Sequence, residues 1–252
     1  MNIRRILFLG LIFAVLFAVA CATTENEKRK KEAQAKRDLG EAYLRDRKFT
    51  QALKELLEAE KLNPNDYYLQ NDLGLIYYYK KQPDKAIVHF KKSLDIKPDF
   101  GLGMNNLGNA YADKKEWDLA IEYYQKATEA PLYATPHFPF TNLGDVYYEK
   151  KDYKRSEDYY LQALELKPDF ALALRGLART YIALNRVEEA IVKLEKAVKK
   201  TPDYALLHYD LAKAYQLSGD VRKARQAYQT VIELAPDSPL ADEAQLAIKQ
   251  LK

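Results

Sequence analysis

The chain has little of what chemistry at a protein site needs. It holds one cysteine, Cys21, in 252 residues, so an internal disulfide and a multi-cysteine zinc site are excluded. Its three histidines, His89, His137 and His208, are far apart, and none has a second ligand at metal-binding spacing. Glycines number nine and never cluster into a phosphate-cradling loop. Acidic residues are many but scattered, so an enzyme is not expected and no cofactor is implied. The net charge is +4, and removing residues 1–20 takes Arg4 and Arg5 and leaves +2, too little to argue for nucleic acid. The longest apolar run, Ile6 to Ala20, has fifteen residues, short of the ~20 that span a bilayer as a helix.

What is abundant is tyrosine, at 20 residues, and it is periodic. Tyr43, Tyr77, Tyr111, Tyr147, Tyr181 and Tyr215 follow one another at steps of 34, 34, 36, 34 and 34. Each lies four residues after a leucine: Leu39, Leu73, Leu107, Leu143, Leu177 and Leu211. A small residue follows each leucine: Gly40, Gly74, Gly108, Gly144, Ala178 and Ala212. A fixed period of this length marks stacked repeats, here 33–66, 67–100, 101–136, 137–170, 171–204 and 205–238. Leu and Tyr four apart share one helix face, and the small residue admits a second helix. A small-large-small stripe follows in each repeat, as in Ala86, Phe90 and Ser93, and suits that second helix. Proline closes five repeats, at Pro64, Pro98, Pro168, Pro202 and Pro236. Asp99, Asp169, Asp203 and Asp237 then stand where an N-cap of the next helix is expected. Residues 239–252 keep helical spacing through Ala241, Ala244, Ile248 and Leu251, which predicts a capping helix.

The Leu-Gly-x-x-Tyr, Ala-x-x-x-Phe and Pro pattern resembles the tetratricopeptide repeat (TPR). The resemblance implies an all-α superhelix of six helix-turn-helix repeats with one concave wall. It places repeat positions 2, 5, 9, 12 and 13 on that wall. In this chain those positions include Tyr68, Leu75, Tyr78, Tyr79, Leu102, Asn105, Asn109, Phe138, Tyr148, Leu172 and Ile182, with Arg175 and Arg179 among them. A largely aromatic and aliphatic groove of this kind fits a partner polypeptide, not a small-molecule substrate. The Lys-Lys pairs at 80–81, 114–115 and 150–151 fall where the first helix of a repeat ends, a favourable place for positive charge.

The N-terminus reads separately. Arg4 and Arg5, the apolar run and Phe17-Ala18-Val19-Ala20-Cys21 match a secretory signal ending in a motif that resembles the bacterial lipobox. That resemblance implies a signal peptide over 1–20, lipid on Cys21 and a polar tether over 21–32. Ala22 stands where an aspartate would retain an enterobacterial lipoprotein at the inner membrane. An outer-membrane anchor facing the periplasm is expected.

The one 36-residue step carries Leu132-Tyr133 before the Asn142-Leu143-Gly144 of the fourth repeat. With the lipobox and six repeats, this resembles the type IV pilus biogenesis and stability lipoproteins, the PilF, PilW and Tgl group. The resemblance implies a pilotin that binds outer-membrane secretin subunits. The chain places Ala134 where that family often has proline and delays its own to Pro136. The alternative is a scaffold lipoprotein that docks other envelope proteins, such as cell-wall hydrolases or proteases.

Overall fold

In the computed structural model the backbone is described for residues 3–131 and 133–251, and side chains for 23–131 and 133–251. The described residues form thirteen α-helices and no strand. They pair as the repeats predict: α1 (Ile3–Arg45) with α2 (Phe49–Leu62), α3 (Tyr67–Tyr79) with α4 (Pro83–Ile96), and α5 (Gly101–Asp113) followed by α6 (Trp117–Glu129). Next come α7 (His137–Glu149) with α8 (Tyr153–Leu166), α9 (Ala171–Ala183) with α10 (Val187–Lys200), and α11 (Ala205–Ser218) with α12 (Val221–Leu234). A thirteenth helix, α13 (Pro239–Gln250), closes the chain, with Ala241 and Ala244 buried and Ser238 capping its N-terminus.

The chain forms two compact units, Met1–Lys114 and Lys115–Lys252, so the division falls inside the third repeat. In the first unit, Ala52, Leu56 and Ala59 of α2 bury against Leu69, Leu73 and Ile76 of α3. In the second, one core runs from Tyr160 through Leu177, Leu194 and Leu211 to Ala244. The small residues set how closely the helices approach. A Cβ on Gly144 would meet the Tyr160 ring at 2.7 Å, and one on Gly176 would run into the same ring. Ser156 takes the small position of its repeat; its buried hydroxyl donates to the Gly144 carbonyl at 2.9 Å and meets Thr180 at 3.0 Å.

In five of the hairpins the periodic tyrosine closes the first helix. The carbonyls of Tyr43, Tyr77, Tyr147, Tyr181 and Tyr215 accept from Lys48, Gln82, Asp152, Arg186 and Asp220 N–H groups at 2.8–2.9 Å. Each bond brackets a left-handed residue, the Schellman arrangement. Those residues are Arg47, Lys81, Lys151, Asn185 and Gly219, with φ from 57° to 84°. The second lysine of each Lys-Lys pair, including Lys115, therefore sits in a conformation that glycine adopts most readily. The first lysine does something else. Lys114 reaches Asp84 at 2.8 Å in the first unit, and Lys150 reaches Asp118 at 2.9 Å in the second.

The expected aspartate caps are corrected. Asp99, Asp169 and Asp203 each stand one residue too early, and the N-cap positions fall to Phe100, Phe170 and Tyr204, which have no side-chain cap bond. The Pro-Asp pair is spent on the turn, where Phe100 N–H donates to the Lys97 carbonyl and Phe170 N–H to that of Lys167. Asp237, with φ at 56°, lies one residue before the true cap, Ser238. The aspartates that do cap are Asp66, Asp152 and Asp220.

The helix α1 runs unbroken through residues 22–32, so the polar stretch is helical and leads directly into the first repeat. Residues 23–32 are exposed along it. The lipobox side chains, Cys21 included, lie outside the residues whose side chains are described, as does Leu132. Among the described residues no helix is long and apolar enough to cross a membrane.

Candidate functional site: two helical walls

In the first unit the candidate residues come from α3 and α5. Tyr68 is 44% exposed; its ring contacts Tyr67 at 4.2 Å and Phe100 edge-on at 5.3 Å. The Arg37 guanidinium covers the Tyr68 ring at 5.3 Å. Leu102 is also exposed, while Leu75 and Asn109 are half-buried. Tyr78 is half-buried, and burial together with Asp113 raises its hydroxyl to about 12. Tyr79 is 52% exposed and stacks on Phe49 of α2 at 5.5 Å, so one of its faces belongs to packing between repeats. Asn105 differs from expectation: it is 5% exposed. Its neighbours Asn106, Leu107 and Gly108 on α5 are buried as well.

In the second unit the candidates come from α7 and α9. Phe138 and Leu172 are exposed, and Phe138 meets Phe170 edge-on at 5.2 Å. Ile182 is partly buried against the core and presents little surface. The arginines are engaged. Arg179 lies over the Tyr148 ring at 4.5 Å, and Arg175 pairs with Asp210 on α11. Asp145 accepts from the Tyr160 hydroxyl at 2.6 Å. The protein crowded around Asp145 pushes its carboxyl up, while Tyr160, Arg179 and Arg175 pull it down. Its own surface is open to solvent, and water limits the shift.

The sequence reading missed a charged cluster in the first unit. Arg37 is held by Asp66 at 2.8 Å and Glu41 at 3.1 Å, with Asp38 at 3.8 Å. Asp72 lies beside them, buried, with one carboxylate oxygen lacking any hydrogen-bond partner. Burial first, and then the Glu41 charge, push its carboxyl up to about 8 against the pull of Arg37. The signal was a spacing: Arg37 to Asp72 and Arg175 to Asp210 are both 35 residues.

No group of three or more His, Cys, Asp or Glu side chains among the described residues could hold a metal ion. The walls offer aromatic rings, aliphatic surface and paired charge, which suits holding another polypeptide.

Family models agree with the repeat architecture. The tetratricopeptide repeat models match residues 67–100, 102–130, 139–170 and 205–238, and a TPR repeat model matches 178–219. Together they cover more than half of the chain. The chain belongs to the tetratricopeptide repeat family. Such repeats mediate protein–protein interaction. No curated protein sequence matches the chain. Among solved structures, this TPR protein is similar to PilW, a widely conserved type IV pilus biogenesis factor, with a TM-score of 0.77 and 24% identity over 84% of this chain and 98% of PilW. It is similar to PilF of Pseudomonas aeruginosa at TM-score 0.75 and 20% identity, over 87% of this chain and 99% of that one. It is also similar to YrrB, a TPR protein with an unusual peptide-binding site, at TM-score 0.54 and 20% identity, over 76% of this chain and 97% of YrrB. Identities below 25% establish a shared fold.

Proposed function

We propose that this TPR protein is an outer-membrane lipoprotein that acts as a pilotin, an assembly factor for the type IV pilus secretin. The observation that carries the reading is the likeness to PilW and PilF over 98% and 99% of their own chains. YrrB is matched over 97% of its chain at a TM-score of only 0.54, whereas PilW and PilF combine near-complete coverage with 0.77 and 0.75. Two sequence features support it: the lipobox-like run ending in Cys21, and the Leu132-Tyr133 insertion before the fourth repeat. Lipid on Cys21 ties the protein to the inner leaflet of the outer membrane. The helical walls then hold secretin subunits at the surface where the ring must form. Two or three acyl chains anchor stably where one does not, at ~0.8 kcal/mol per buried CH₂.

The experiment is a crosslinking pull-down from membranes with identification of the captured partner, run beside labelled-palmitate incorporation. The reading predicts secretin subunits in the eluate, and label in wild type that is lost in Cys21→Ser. Cell-wall hydrolases or proteases eluting without secretin would favour the scaffold alternative. Label unchanged in Cys21→Ser would remove the lipid anchor.

A further inference from the structure

The wall of the second unit rests on a trio of rings, and one of them can take up a proton. His137, Phe138 and Phe170 are the first, second and last residues of the fourth repeat. The His137 ring lies against Phe138 at 4.6 Å and meets Phe170 edge-on at 4.8 Å, while Phe138 meets Phe170 at 5.2 Å. Phe138 is still 38% exposed, but His137 is only 9% exposed, and its Nε2 is buried with no hydrogen-bond partner. A neutral imidazole with its proton on Nδ1 tolerates that setting, because Nε2 then carries only a lone pair. A charged imidazolium places an N–H there that finds no acceptor. The charges around the ring do not compensate. Residues 130–136, ahead of α7, include no charged side chain. On α7 itself Thr141 bonds the His137 carbonyl, and Asp145, two turns on, accepts from Tyr160. On the turn from α8 into α9, Asp169 faces Lys200 at 3.1 Å, and Lys167 lies over the Phe170 ring at 5.2 Å. Burial first, and then the Lys167 charge, hold His137 below the ordinary histidine range. The first unit builds the same trio without a base. Tyr67, Tyr68 and Phe100 hold the same places in the second repeat, at ring separations of 4.2, 4.9 and 5.3 Å, and Lys97 stands in the place of Lys167. A phenol stays neutral over the range in which an imidazole titrates.

We propose that His137 is an acid-operated release for the Phe138 surface: on taking a proton its ring leaves the trio, and Phe138 loses the support that holds it on the wall. The proton comes from solvent and returns to it as pH rises, so the change is reversible. The second unit presents its aromatic surface at neutral pH and gives it up in acid. The Tyr67 trio of the first unit does not respond. The consequence for a partner rests on the reading of this wall as polypeptide-binding, whereas the release belongs to the protein alone.

The test is made on the full chain in detergent, with Phe138 replaced by 4-fluorophenylalanine. Its fluorine resonance is compared in H₂O and D₂O between pH 8 and pH 5. The isotope shift grows with contact between ring and solvent, and a charge nearby cancels in the difference. With His137 in place the isotope shift is expected to grow as pH falls, with a midpoint below 6.5 that matches the titration of the His137 ring protons. In His137→Tyr, which gives the fourth repeat the ring of the second, and in His137→Phe, it is expected to keep its neutral-pH value throughout. An isotope shift that stays flat while His137 titrates overturns the release, even where a variant folds poorly. So does a pH-dependent shift that survives in either variant, or a His137 midpoint at or above that of a free imidazole. Each of these outcomes leaves the pilotin reading untouched, because no secretin is present.

Discussion

Asp72 gives the fold a pH dependence of its own. Its carboxyl is raised to about 8 by burial and by Glu41, whereas an unfolded aspartate titrates near ~4. The folded state therefore binds the proton more tightly, and the stability this contributes is full below about pH 4. It declines as pH rises and is gone above about pH 8. Urea midpoints at pH 6 and pH 9 should fall with pH in wild type and fall less in Asp72→Asn; parallel curves for the two proteins would refute this assignment. A second prediction concerns Lys151, with φ at 60° in the turn between α7 and α8. Lys151→Gly is expected to raise stability by up to ~1 kcal/mol, because glycine meets no Cβ penalty there. Lys151→Val should lower it, and the opposite order in thermal melts would contradict the turn geometry. Neither residue stood out in the sequence. Asp72 is one acid among 36, and the second lysine of each pair read as helix-end charge. Burial and φ depend on what surrounds a residue, and repeat spacing carries neither.

Helices and their pairing were the legible part of the chain. Leucine and tyrosine four apart, a small residue between them and a small-large-small stripe state a helical hairpin completely, and the hairpins formed where the period put them. The periodic tyrosines do more than pack. Their carbonyls close the first helices, and cations cover their rings, as Arg155 covers Tyr147 at 4.4 Å and Arg186 covers Tyr181 at 4.1 Å. The caps were less legible, because a Pro-Asp pair reads equally well as a cap or as a turn, and the next residue decides. The groove was legible only as a face. Tyr68, Leu102, Phe138 and Leu172 are exposed as that face requires, while Asn105 is enclosed and Arg175 is already paired. Periodicity assigns a side of a helix and cannot say how closely the neighbouring helix covers it. At this scale the small residues give a direct test. Gly176→Ala should cost ~1–3 kcal/mol, since its Cβ would enter the space of the Tyr160 ring. Adding Tyr160→Leu should recover part of that loss, and a neutral Gly176→Ala would show that α8 and α9 approach less closely than described.

At the scale of the whole molecule, a repeat protein is stabilised by each hairpin and by its contacts with the next, so its ends need closing. Helix α13 closes the C-terminal unit with Ala241, Ala244, Ile248 and Leu251 against its core. Truncation after Asp237 is expected to destabilise that unit by ~2–4 kcal/mol, the scale of a few small apolar side chains returned to water, and calorimetry would register it. The proposed pilotin role is one of assembly, in which the stack of repeats holds secretin subunits until the ring forms. Deleting the gene and running outer membranes on a denaturing gel without boiling tests it most directly. For a pilotin, heat-resistant secretin multimers are expected to disappear or fall sharply, with monomer left behind. Multimers persisting at the wild-type amount would contradict it.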